Sequence, residues 1–67
     1  MLNRVAKLLK EADRLNIEAM KLQDAAEEQL RNGNELECEE LWSESIEKEK
    51  YSDGIMHTLR ELGLLED

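Results

Sequence analysis

The apolar and small side chains of the first half of the chain recur every seven positions. With Val5 at position a of a heptad, a is filled by Val5, Ala12, Ala19 and Ala26, and d by Leu8, Leu15, Leu22 and Gln29. A seam kept for about four heptads predicts one long helix packed along another. No helix breaker interrupts it, so the pattern predicts a helix over 2–31. The stretch RNGNELE then supplies stop and start signals. Gly33 suits the left-handed residue that ends a helix. Asn34 suits the cap of the next helix, with Glu37 completing a capping box. A connection this short makes the two helices antiparallel neighbours.

The second segment has its own register, predicting a helix over 35–62. Position a is Cys38, Ser45, Ser52 and Leu59, and d is Leu41, Lys48, Ile55 and Leu62. Folding back about the turn sets Ala26 against Leu41, Leu22 against Ser45, Ala19 against Lys48 and Leu15 against Ser52. Further out, Ala12 meets Ile55, Leu8 meets Leu59 and Val5 meets Leu62. The two numbers of every pair sum to 67, so no register slip is needed. Small residues mostly oppose large ones, the interdigitation that close packing requires. Ser52, Asp53 and Gly54 offer a possible break, but the heptad passes through them without insertion, which favours a continuous helix with a possible kink. Gly63 then suits the left-handed position of a Schellman motif, with Leu64 folding back toward Leu59. The expected fold is an all-α, long antiparallel two-helix hairpin forming a single domain over 1–67.

A seam uses one stripe per helix, and a second stripe is left over. Leu2, Leu9 and Leu30 at e and Met20 at b mark one flank of the first helix. Trp42 and Met56 at e and Ile46 at b mark the second. In an antiparallel pair the two e rows lie on the same side, interrupted at mid-length by Asn16, Gln23 and Glu49. A long apolar flank marks an interface. Homodimerisation into a four-helix bundle is expected, with the flank folding down over its own seam, or meeting a different protein, as alternatives.

Size strengthens that expectation. Sixty-seven residues lie near the lower limit for independent folding, where self-association, a metal or disulfides usually help. The lone Cys38 rules out an internal disulfide. Residues 1–31 hold six basic and six acidic side chains and residues 32–67 three and eleven, so the net charge of −8 arises from the second half. Such a balance argues against direct nucleic-acid binding through phosphates. No run is apolar enough for a membrane span or a signal peptide, and a cytoplasmic protein is expected.

Candidate chemistry is thin. Glu37, Glu40, Glu44 and Glu47 place four carboxylates on one helix face, a pattern able to hold Mg²⁺ but ordinarily a solvated surface. All-α nucleoside triphosphate pyrophosphatases pair an ExxE with a second acidic pair on a facing helix, and that second pair is missing. His57 has Asp53 and Glu61 one turn away on either side, the pattern of a surface histidine. Cys38 falls on the seam, where packing suffices to explain it. No phosphate loop or nucleophilic triad is present. The expected protein is not an enzyme and has no cofactor and no metal.

Around the turn the chain resembles a single tetratricopeptide-type unit over about residues 19–50. Leu22, Ala26, Gly33, Cys38, Trp42 and Ser45 stand where such repeats place Leu or Trp, a small residue, Gly, Ala, an aromatic and Ala. The first helix runs too far back, no Pro follows position 50, and no second repeat exists. The resemblance implies a helical binding module. The expected function is a small non-enzymatic, self-associating adaptor, regulator or inhibitor. One alternative is an acidic decoy, of the kind phage genes encode, that imitates nucleic acid toward a DNA- or RNA-binding protein. A second is a metal- or ligand-binding oligomer using the acidic face.

Overall fold

Two helices account for the architecture: α1 (Leu2–Arg31) and α2 (Glu35–Glu61). The structure, a computed structural model, describes residues 2–64, and of Leu2 only the backbone. Thirty residues of α1 rise about 45 Å at 1.5 Å per residue. The molecule is accordingly a rod measuring 47 × 17 × 17 Å, one hairpin long and two helices wide. Side-chain bonds across the hairpin confirm the antiparallel direction. Glu18 meets Lys48 and Ala12 meets Ser52, so descending α1 means ascending α2.

The turn closes as a Schellman motif. Gly33 has φ of +82°, its N–H donates to the Leu30 carbonyl (3.0 Å), and the Asn34 N–H donates to the Gln29 carbonyl (2.8 Å). These bonds satisfy carbonyls that the end of α1 would otherwise leave free. The expected capping box is absent. The Asn34 side chain makes no cap bond, and its Nδ2 instead donates to Gln29 Oε1 at 2.7 Å. The cause is economy of chain. Asn34 is at once the last residue of the first helix's cap and the first of the second's, and its amide is drawn back to Gln29. Its carbonyl still begins the α2 ladder by accepting from Cys38 N–H (3.0 Å). The charges of Glu35 and Glu37 in the first turn favour the helix N-terminus in place of the box.

α2 runs unbroken through Ser52, Asp53 and Gly54. It ends in a second Schellman motif, with Gly63 at φ +70° and Leu64 N–H donating to the Leu59 carbonyl at 2.9 Å. The helix stops at Glu61, one residue short of the expected end. Leu62 is its C-cap and is 66% exposed, so the expected Val5–Leu62 contact does not close the seam. Leu8 is also partly exposed, at 40%. The seam therefore thins toward the open end of the hairpin.

Every buried side chain among the described residues lies on the heptad seam. Ala12, Leu15, Ala19 and Ala26 come from α1, and Ser45, Ser52 and Leu59 from α2. The alanines and serines let the backbones approach closely. Both serine hydroxyls are paired despite full burial, as burial requires. Ser45 Oγ donates to the Trp42 carbonyl of its own helix at 2.7 Å, and Ser52 Oγ donates across the seam to the Ala12 carbonyl at 3.1 Å. No helix of the described residues is long and apolar enough to cross a membrane.

Candidate protein-interaction surface

The e and b positions of the two helices form one continuous side of the rod. Two observations place them together. Gln23 Nε2 donates to Glu49 Oε1 at 2.6 Å across the hairpin, which joins the e rows at mid-length. Nearer the turn, Ala26, Glu27 and Leu30 of α1 and Cys38, Glu39, Trp42 and Ser43 of α2 line one shallow, open, largely apolar hollow of about 550 Å³. Leu30 and Trp42 thus face outward on the same side.

This side is not folded over the seam. Met20 is 64% exposed, Leu30 55%, Trp42 44% and Ile46 39%, while Leu9 and Met56 are half-buried. The Leu2 side chain lies outside the described residues. The reason is geometric. Positions e and b point away from the helix–helix axis, and the alanine and serine seam is filled without them. Further exposed apolar residues lie elsewhere: Ile17 and Leu36 at f, and Tyr51 at g. The seven-residue count places all three off the seam, but isolated apolar residues off a stripe carry no pattern of their own.

The opposite flank is charged and internally paired. Arg14 sits between Glu11 and Glu18, one turn to either side, and bonds to both carboxylates. Glu18 also reaches Lys48 of α2 at 3.4 Å. Lys48 therefore leaves its seam position by snorkelling, its stem along the hairpin and its ammonium at the edge. The hydrogen bond from Arg14 is the largest influence on the Glu11 carboxyl and holds it below its ordinary value; desolvation opposes it, and the charges of Arg14 and Lys48 add smaller lowering effects. Glu11 and Glu18 in turn raise the Arg14 guanidinium. Sequence reading counted these residues only as charges, and the i, i+3 and i+4 spacing about Arg14 was the available signal.

The acidic row is arranged for solvent. Glu37, Glu40, Glu44 and Glu47 are all exposed and line a broad open depression with Leu36 and Leu41. They follow one another along the helix without converging on a point. Among the described residues no three His, Cys, Asp or Glu side chains come together as a cation site. His57 Nε2 lies 3.5 Å from Glu61 Oε1, both exposed. Cys38 is a free, half-buried thiol beside the hollow. The flank lined by Leu9, Met20, Leu30, Trp42, Ile46 and Met56 is thus the most developed surface feature of the hairpin. Comparison with family models, with curated proteins and with solved structures returned no match to this chain.

Proposed function

We propose that the hairpin is a small non-enzymatic protein-interaction module, an adaptor, regulator or inhibitor, that acts through its apolar flank and associates with itself there. Two hairpins brought flank to flank make a four-helix bundle. The observation that carries this reading is the exposure of Met20, Leu30, Trp42 and Ile46 along one side of a hairpin whose own seam is filled. Covering such a side chain contributes on the order of 1 kcal/mol before association costs. Twelve of them, six from each copy, are enough to hold a pair together. A chain near the lower size limit gains most from that addition.

Sedimentation equilibrium tests it. The wild type is expected at twice its 7.8 kDa chain mass, and Met20→Glu/Ile46→Glu at the single-chain mass with its helical circular dichroism kept. A wild type that stays at the single-chain mass at about 100 μM, well above the micromolar range of weak specific pairs, overturns self-association.

The charged flank supports a second reading. Glu37, Glu40, Glu44 and Glu47 are exposed, and among the described residues none of them is in an ion pair. A row of free carboxylates imitates a phosphate backbone toward a basic protein surface. Binding of that kind collapses as salt rises, whereas binding through the apolar flank survives salt and is lost in Trp42→Ala.

A further inference from the structure

The turn between the helices carries a reactive pair of residues that the interaction surface does not use. Of the four asparagines only Asn32 precedes a glycine. The backbone nitrogen that follows an asparagine can attack its side-chain carboxamide and close a five-membered imide. A Cβ on the attacking residue hinders that approach, and Gly33 has none. Both residues are exposed, and a Cβ built on Gly33 would meet nothing within 4 Å, so the ring has room to form. We propose that Asn32 is a site of spontaneous covalent modification, its carboxamide lost through a cyclic imide with the Gly33 nitrogen when the turn opens.

The step balances with water as the only co-reactant. The Gly33 nitrogen gives up its proton and forms a bond to Asn32 Cγ. The C–N bond of the carboxamide breaks, and ammonia leaves with that proton. Water then opens the imide at either of its carbonyls. Attack at Cγ restores the ordinary backbone and leaves aspartate. Attack at the backbone carbonyl leaves the chain running through Cγ, as isoaspartate. Loss of ammonia makes the change one-way.

Three hydrogen bonds keep the closed turn unreactive. The Gly33 N–H, which must lose its proton, donates to the Leu30 carbonyl at 3.0 Å. The Asn34 N–H donates to the Gln29 carbonyl at 2.8 Å, and Asn34 Nδ2 donates to Gln29 Oε1 at 2.7 Å. Together they span the Asn32–Gly33 bond and hold its nitrogen on α1, away from the carboxamide. The segment is a helix end, and helix ends open at far lower cost than helix interiors.

Asp53 and Gly54 supply the contrast within the same chain. An aspartate before glycine closes the same imide, with water leaving in place of ammonia. Asp53 is exposed, and a Cβ built on Gly54 is as unobstructed as one on Gly33. Room therefore does not separate the two sites. Gly54 lies inside α2, and its N–H belongs to the helix ladder. Reaction there requires α2 itself to unwind, whereas reaction at Asn32 requires only the cap to open.

The product acts back on the turn. Isoaspartate inserts one extra atom into the backbone, which shifts the Gly33 and Asn34 nitrogens relative to the Leu30 and Gln29 carbonyls. The new carboxylate also stands at the C-terminus of α1, the negative end of the helix dipole. Both effects loosen the connection, so the modified hairpin melts below the fresh one.

Ageing the folded full chain at mildly alkaline pH, beside the same chain unfolded in guanidinium chloride, tests the proposal. Cleavage after glutamate releases residues 29–35 and 50–61, and electron-transfer fragmentation identifies aspartate and isoaspartate in each. Folding is expected to slow Asn32 by no more than about tenfold and Asp53 by at least about a hundredfold. Asn34→Ala, which removes the side-chain bond to Gln29, is expected to speed the Asn32 reaction several-fold, with Asp53 and the helical circular dichroism unchanged. Aspartate at position 32 without isoaspartate overturns the imide route. An Asn32 that survives folded while it is consumed unfolded, or that is slowed by the same factor as Asp53, overturns gating by the turn. The wild-type comparison decides this by itself if Asn34→Ala does not fold.

Discussion

Ser52 of α2 donates its hydroxyl to the backbone carbonyl of Ala12 in α1 at 3.1 Å, in a contact closed to solvent. It joins positions far apart in sequence across the centre of the seam. The serine is small enough to let the helices approach, and its hydroxyl finds an acceptor that already serves the α1 ladder.

That geometry predicts different outcomes for the two buried serines. Ser52→Ala removes a cross-helix hydrogen bond and should cost about 1 kcal/mol. Ser45→Ala removes only a bond to its own helix and gains helix propensity, so it should be neutral or stabilising by a few tenths of a kcal/mol. Ser52→Leu should cost about 1–3 kcal/mol by forcing the helices apart. Urea unfolding of the three variants checks the order.

The glycines separate in the same way. Gly54 lies inside α2, and a Cβ built there meets no heavy atom within 4 Å. Gly54→Ala should therefore stabilise by about 0.5–1 kcal/mol through propensity and loss of backbone freedom in the unfolded chain. Gly33 and Gly63 have equal space but φ of +82° and +70°. Alanine at either should destabilise by about 1–2 kcal/mol, because its Cβ strains the left-handed conformation. Thermal melts with opposite shifts are the expected result.

On the charged flank the sign of a pH effect follows from Glu11. Its carboxyl is held below the ordinary value of 4.5, first by the hydrogen bond from Arg14. A group with a depressed folded-state pKa contributes its stability above the unfolded value and loses it as pH falls through the folded one. The wild type should melt above Glu11→Gln at about pH 7, with the gap shrinking as pH falls below the ordinary carboxylate range. The gap is small because the pair stands in solvent. A gap that widens on acidification would refute the assignment.

The seam was legible in the sequence because burial in a two-helix hairpin depends on one periodicity. Ala12, Leu15, Ala19, Ala26, Ser45, Ser52 and Leu59 are all a or d residues, and all are buried. α1 matches its expected bounds, and α2 ends one residue early. The turn was legible only in its backbone. Gly33 and Gly63 had to be left-handed, but the choice of the Asn34 amide between its own cap and Gln29 depends on where the end of α1 puts Gln29, which no pattern encodes. The same holds for Ser52: the heptad required a small residue, while its acceptor is set by the rotation of α1. For the candidate surface, the stripe was legible and its exposure was not. Whether Trp42 folds over the seam or stands away from it depends on how fully the alanines and serines close the gap.

Core and flank should answer separately to mutation, and this divides what holds the hairpin from what the hairpin holds. Leu59 is 1% exposed and is the largest fully buried side chain among the described residues. Leu59→Ala should cost about 2–5 kcal/mol. A chain of this size has only about 3–5 kcal/mol to lose, so the variant should lack a cooperative unfolding transition at room temperature. Met20 contributes little within one hairpin, and Met20→Ala should change the stability of the single chain by less than about 0.5 kcal/mol. Its effect should appear in concentration dependence instead. If the flank is covered by a second copy, the wild-type melting temperature rises with protein concentration, and Met20→Ala flattens that slope while helical content stays constant. Melts at a series of concentrations measure both quantities in one experiment. A Leu59→Ala variant that still unfolds cooperatively would show that the seam is not the main support of the fold. An unchanged slope in Met20→Ala would show that the flank is not where copies meet.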